Sequence, residues 1–164
     1  MKNVFDNALV SGDAHVYGDA LVSGDALVYG DALVYGSAHV YGYARVSGDA
    51  HVSGDAHVSG YAHVSGDARV YGSAIVYGSA HVSGDARISK TSDYLVVGPA
   101  KSSGRFTTAH IDAKIGVRVN CGCFSGTVRE FSEAIEKTHA NNPEALAQYR
   151  LFCQLIAFNF GVEG

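Results

Sequence analysis

Alanine stands at every sixth position from Ala8 to Ala86, fourteen times without a gap. An aliphatic residue follows two places later each time: Val10, Val16 and onward to Val82, then Ile88. Glycine keeps the same phase from Gly12 to Gly84, and Val4 continues the aliphatic row by one, as a degraded extra hexad. Period six with a glycine in every unit does not form an amphipathic helix, which excludes helical bundles. In an extended segment Ala and Val, two apart, point to one face and their neighbours to the other. Gly then permits a corner that residues with a Cβ resist. Short strand, corner, short strand predicts an all-β parallel β-helix with about 18 residues per coil and coils stacked about 4.8 Å apart.

An interior of Val and Ala is narrow and packs solid, so function is expected on the outside, at the ends, or in the C-terminal segment. Stacking residues eighteen apart gives three outward columns: Leu9, Leu27, Arg45, His63, His81; His15, Leu33, His51, Arg69, Arg87; and Leu21, His39, His57, Ile75. Beside them Tyr17, Tyr35 and Tyr71 share a column, as do Tyr41 and Tyr77, while Tyr43 and Tyr61 stack on a corner. Asp13, Asp31, Asp49, Asp67 and Asp85 form an acidic ladder on another corner.

The hexads, with their VSGDA and VYGDA units, resemble the hexapeptide-repeat superfamily over residues 4–90, and especially its small bacterial and phage members. That resemblance implies a left-handed β-helix. It leaves activity open, because the superfamily spans acyltransferases, a zinc carbonic anhydrase class and non-enzymatic proteins. Its acyltransferases use a histidine as general base and usually carry a loop projecting from the coils. Here no hexad is interrupted between Asn7 and Ser89, and the six histidines of the repeat alternate with Leu and Arg at equivalent sites. Catalysis is therefore the secondary expectation. His63 with His81, and His39 with His57, would neighbour each other across coils, but each pair lacks a third metal ligand. The acidic ladder is expected to cap local backbone N–H groups in Asx-turns, or alternatively to bind cations or imitate a phosphate backbone.

Composition changes after Lys90, which divides the chain into a repeat, 1–90, and a small α+β capping and oligomerisation segment, 91–164. Tyr94–Gly98 reads as a strand, and Arg105–Asp112 with Lys114–Asn120 as a hairpin whose Ile115, Val117 and Val119 share a face. Thr127-Val-Arg-Glu130 is a capping box opening a helix to about His139, and Asn-Asn-Pro at 141–143 starts a second helix ended by Gly161. That helix has one apolar stripe for the hairpin (Leu146, Tyr149, Phe152/Cys153, Ile156, Phe160) and a second (Leu151, Leu155, Phe158) that wants another surface. Cys121-Gly-Cys123 reads as small residues at a tight turn, with zinc chelation alongside Cys153 and His110 or His139, or a nucleophilic thiol, as the alternative. The stretch CGCFSGT, with Lys137-Thr138-His139 after it, resembles the tail of some phage and prophage hexapeptide-repeat proteins.

The net charge of −4 lies entirely on residues 1–90, which carry five basic and nine acidic groups, so direct nucleic-acid binding is not expected. No stretch approaches a membrane span, the start MKNVFDNALV lacks a signal-type apolar run, and three cysteines are an odd number. Reduced thiols in the cytoplasm are expected. These readings converge on a non-enzymatic binding or scaffold protein of phage or prophage accessory type, without cofactor or metal. It is expected to be a homo-oligomer, dimer or trimer, that meets an unidentified protein partner. The expected contact residues are Leu27, Leu33, Tyr35, Asp31, Asp49, Asp67, Leu151, Leu155 and Phe158. A hexapeptide-type acyltransferase is the alternative. So is a phage inhibitor whose acidic face occupies a host nucleic-acid-binding or defence protein.

Overall fold

The computed structural model describes residues 3–163 and divides into two compact units, Met1–Asp93 and Tyr94–Gly164. In the first, each hexad contributes one two-residue strand, from β1 (Leu9–Val10) through to β14 (Arg87–Ile88). Parallel pairing joins residues eighteen apart, as in Leu9 with Leu27 and Val10 with Val28, so three hexads make one coil of a β-solenoid. Three sheets result, carrying the three predicted outward columns: Leu9 to His81, His15 to Arg87, and Leu21 to Ile75. From Ala20 to Ile88 the Ala and Val positions are buried, nearly all with no exposed area. In the first coil Ala8, Val10, Ala14 and Val16 are only half-buried, because they are stacked from one side.

The corner is a four-residue turn such as Ser53-Gly54-Asp55-Ala56, in which the Ala56 N–H donates to the Ser53 carbonyl at 3.4 Å. Gly54, the second residue, has φ +67°. Positive φ at that position alone is the type II′ pattern, which glycine adopts without strain. The N-terminal extension follows the same plan: Val4 bridges to Val22, and Asp6, with φ 59°, stands where each later hexad has glycine. Val4 therefore does belong to an extra, degraded hexad. The first unit ends in a 3₁₀ turn, Thr91–Asp93, tied back by the Asp93 carboxylate, which accepts from the Ser89 and Lys90 N–H groups at 2.8 and 3.1 Å. That tie holds Thr91–Asp93 on the last coil.

The second unit is an antiparallel sheet in the order β15 (Tyr94–Val97), β16 (Thr107–Asp112), β17 (Gly116–Cys121), β18 (Phe124–Thr127), followed by α1 (Val128–Thr138) and α2 (Pro143–Phe160). Its core gathers Ala109, Val119, Phe131, Ile135, Tyr149 and Ile156. Thr127 caps α1, its hydroxyl accepting from the Glu130 N–H while the Glu130 carboxylate accepts from the Thr127 N–H. Asn142 caps α2 with Pro143 behind it, and Gly161 closes it with φ 65°. Two sequence expectations need correction. The Cys-Gly-Cys stretch is a tight turn as expected, but Phe124–Thr127, given no element from sequence, forms a fourth strand that makes it a hairpin joint. Ile115 does not share the buried face of Val117 and Val119: it sits in a turn where the Asp112 carboxylate accepts from the Lys114 and Ile115 N–H groups at 2.9 and 3.1 Å. No helix among the described residues is long and apolar enough to cross a membrane.

The inward register of the coils has a direct check. Val52→Asp buries an unpaired carboxylate in an apolar stack and should cost several kcal/mol, on the order of 3 or more. His51→Asp, one residue away and facing outward, should cost less than about 1 kcal/mol. Thermal melts of the two variants read the difference.

Candidate functional site

The solenoid interior is filled by its own side chains, so chemistry has to be sought on the outer faces and in the second unit. On the first sheet Arg45, His63 and His81 stand in register, and the rings of His63 and His81 meet edge to face at 5.7 Å. Burial, then the neighbouring His81 and Arg45, lowers the pKa of His63, and burial lowers that of His81. On the third sheet the rings of His39 and His57 lie 5.0 Å apart. Among the described residues no group of three or more His, Cys, Asp or Glu is placed to hold a metal ion, so neither histidine pair acquires a third ligand.

The first four members of the acidic ladder, Asp13, Asp31, Asp49 and Asp67, are exposed along their corner, but their carboxylates do not cap the backbone as the sequence suggests. Among the described residues the side chains of Asp13, Asp31, Asp49 and Asp67 accept no hydrogen bond. The reason is position. Asp is the third residue of the type II′ turn, whereas an Asx cap needs it at the first. Its backbone N–H is what the corner can use, as when Asp31 donates to the Gly48 carbonyl of the next coil at 3.1 Å. Nor do Arg69 and Arg87 neutralise the ladder. Arg87 turns its Nη1 onto the backbone carbonyls of Asp67, Asp85 and Ala86 at 3.2, 3.2 and 2.9 Å.

On the second sheet Tyr35, His51, Ser53, Arg69, Tyr71 and Arg87 line a shallow groove of about 390 Å³. Of these only Tyr35 stands out as a contact residue from sequence. His51, Arg69 and Arg87 share one outward column of the sequence reading and Tyr71 shares another with Tyr35, whereas Ser53 carries no signal of its own there. Leu27 and Leu33, on different sheets, are half-buried between their coil neighbours and form no common patch, while Leu9 is exposed.

In the second unit a smaller cleft of about 170 Å³ is lined by Arg105, Cys121, Cys123, His139 and Tyr149, among others. Cys121 is buried and Cys123 exposed, both as free thiols. The Tyr149 hydroxyl sits 3.0 Å from Ser103 Oγ, and its ring stacks on His139 at 4.9 Å. The candidate zinc set is not assembled. Buried His110 is held 3.1 Å from Asn120 Nδ2, and Cys153 lies in a different cleft beside Glu136 and Arg150. Burial, aided by the Glu136 charge, pushes the Cys153 thiol up to about 11, which keeps it protonated at neutral pH. On α2 the second apolar stripe is open: Leu151, Leu155 and Phe158 are 63%, 47% and 88% exposed.

Residues 26–42, 44–60 and 62–78 match the YdcK beta solenoid repeat, which agrees with the coils and supports a repeat β-solenoid protein. No curated protein and no solved structure matches the chain.

Two measurements follow from these outer columns. A histidine with a lowered folded-state pKa contributes stability that is full above the unfolded value of about 6.5 and is lost as pH falls from there through the folded value. The Tm should therefore drop between pH 7.5 and pH 5.5, and His63→Gln should narrow that drop. Replacing Asp31, Asp49 and Asp67 together by Asn removes repulsion and no hydrogen bond. Its Tm should rise at low salt and the gain should shrink at high salt.

Proposed function

We propose that the chain is a non-enzymatic binding and scaffold protein of hexapeptide-repeat, phage-accessory type, in which the coils supply a rigid rod and α2 supplies the joint. The carrying observation is the stripe of Leu151, Leu155 and Phe158 on α2. Spacings of four and three put the three side chains on one helical face, opposite the face that packs through Tyr149, Cys153 and Ile156 on the unit's own core. Each such side chain is worth roughly 1.5–3 kcal/mol when removed from water, before the costs of association. A second copy of the chain presents the same stripe, and two copies can meet self-complementarily about a twofold axis. The uninterrupted coils support the same reading, since they carry none of the loops with which the acyltransferases of the superfamily build their sites.

Light scattering on the full chain at micromolar concentration should give a multiple of 17.2 kDa. Leu155→Glu should return the mass to that of one chain and leave that chain folded, because the side chain is already half exposed, and the Tm should lose its dependence on protein concentration. Leu27→Glu with Leu33→Glu should leave the mass unchanged. The reverse pattern would move the joint to the coils.

A further inference from the structure

Tyr17 and Tyr35, one coil apart, stack face to face with ring centroids 5.2 Å apart and planes within 3°. The next position of that ladder is Ser53, and the one after it is Tyr71. Tyr35 and Tyr71 therefore stand two coils apart, about 10 Å, on either side of a serine. That spacing is two ladder steps, so one aromatic ring fits between them at about 5 Å from each, within the range of ring stacking. Ser53, half-buried, floors the gap, and its hydroxyl has no partner among the described residues.

The neighbouring column supplies charge. Arg69 and Arg87 face each other in register on adjacent coils, and neither is ion-paired among the described residues. Arg87 is held in place by the three carbonyls on its Nη1, which leaves its Nε–H and Nη2 hydrogens to donate. Arg69 is exposed and its side chain carries no hydrogen bond among the described residues, so its fork is free to close on the same acceptor. Two like charges one coil apart repel unless an anion lies between them.

A second skipped ring on the molecule sharpens the point. On the third sheet Tyr41, Ser59 and Tyr77 repeat the Tyr-Ser-Tyr order, but there Ser59 is buried and the column beside it reads His57 and Ile75. That gap is closed and uncharged by arginine. Beside Ser53 stands His51, whose ring meets Tyr35 edge-on with centroids 6.1 Å apart, and the next two members of that column are Arg69 and Arg87, so of these two gaps only this one is half-open and leads onto guanidinium groups.

We propose that this groove binds a small molecule bearing one aromatic ring and one oxyanion. The ring lies between Tyr35 and Tyr71 over Ser53, and the oxyanion on Arg69 and Arg87. Asp49, Asp67 and Asp85, at the corner leading into the same strands, repel longer polyanions and limit the ligand to one anionic group. The site is independent of the stripe on α2.

The test is calorimetric titration of the full chain with phenyl phosphate, inorganic phosphate and phenol. Phenyl phosphate should bind one per chain and at least tenfold tighter than either fragment. Ser53→Tyr places in the gap the residue that the ladder carries at Tyr17, Tyr35 and Tyr71, so the variant should keep its Tm and lose phenyl phosphate binding by at least tenfold. Arg69→Gln, on an exposed side chain, should weaken phenyl phosphate about tenfold and leave phenol unchanged. Phenyl phosphate that binds no tighter than inorganic phosphate, or as tightly to Ser53→Tyr as to the unaltered chain, overturns the proposal.

Discussion

Glycine lying directly on glycine is the contact on which the solenoid depends. At each corner the backbone enters the left-handed region, and the next coil passes so close that a Cβ on Gly60 would come within 3.0 Å of the Gly78 nitrogen. A side chain there would have to be tolerated both by a strained φ and by a backbone that cannot yield. The strands, two residues each, are too short to set the coil spacing alone. Corner and strand together hold the register, and the Ala and Val side chains then fill what is left inside. Because every coil repeats this solution, the interior carries almost no information beyond the repeat itself. What distinguishes one coil from another is written on the outside.

This explains why so much of the fold was legible in the sequence and so little of the site. Ala8 to Ile88 gave the coil length, the inward face and the three outward columns, since a period of six at three units per turn leaves no other register. The helix ends were equally readable, because Thr127 with Glu130 and Asn142 with Pro143 satisfy backbone groups locally. The misses are local too. Phe124–Thr127 has the composition of a loop and becomes a strand only because β17 offers it an edge. Ile115 continues an alternation that the Asp112 side chain interrupts. The ladder aspartates were read from residue type, whereas their place in the turn decides what they can bond.

The groove at Ser53 was missed for a different reason. Large and charged side chains are conspicuous in a sequence, whereas this feature is defined by a small residue between large ones. The column Tyr17, Tyr35, Ser53, Tyr71 contains the signal, but only the observed stacking of Tyr17 on Tyr35 turns the interruption into a distance. The α2 stripe was easier, because three large apolar residues on one helical face are conspicuous whether or not anything covers them.

The eighteen-residue pairing has a consequence for how such a molecule changes length. Adding one whole coil of eighteen residues extends every outer column by one member and leaves all existing neighbours on their faces. Adding a single hexad preserves the core equally well, since one Ala-x-Val unit is as good inside as another. It also rotates everything downstream of it to the next face. Arg69 and Arg87 would then leave the sheet of His51 and Tyr35, and the groove would be dismantled with no loss of packing. Stability and surface pattern are therefore governed by two different periods, six for the first and eighteen for the second.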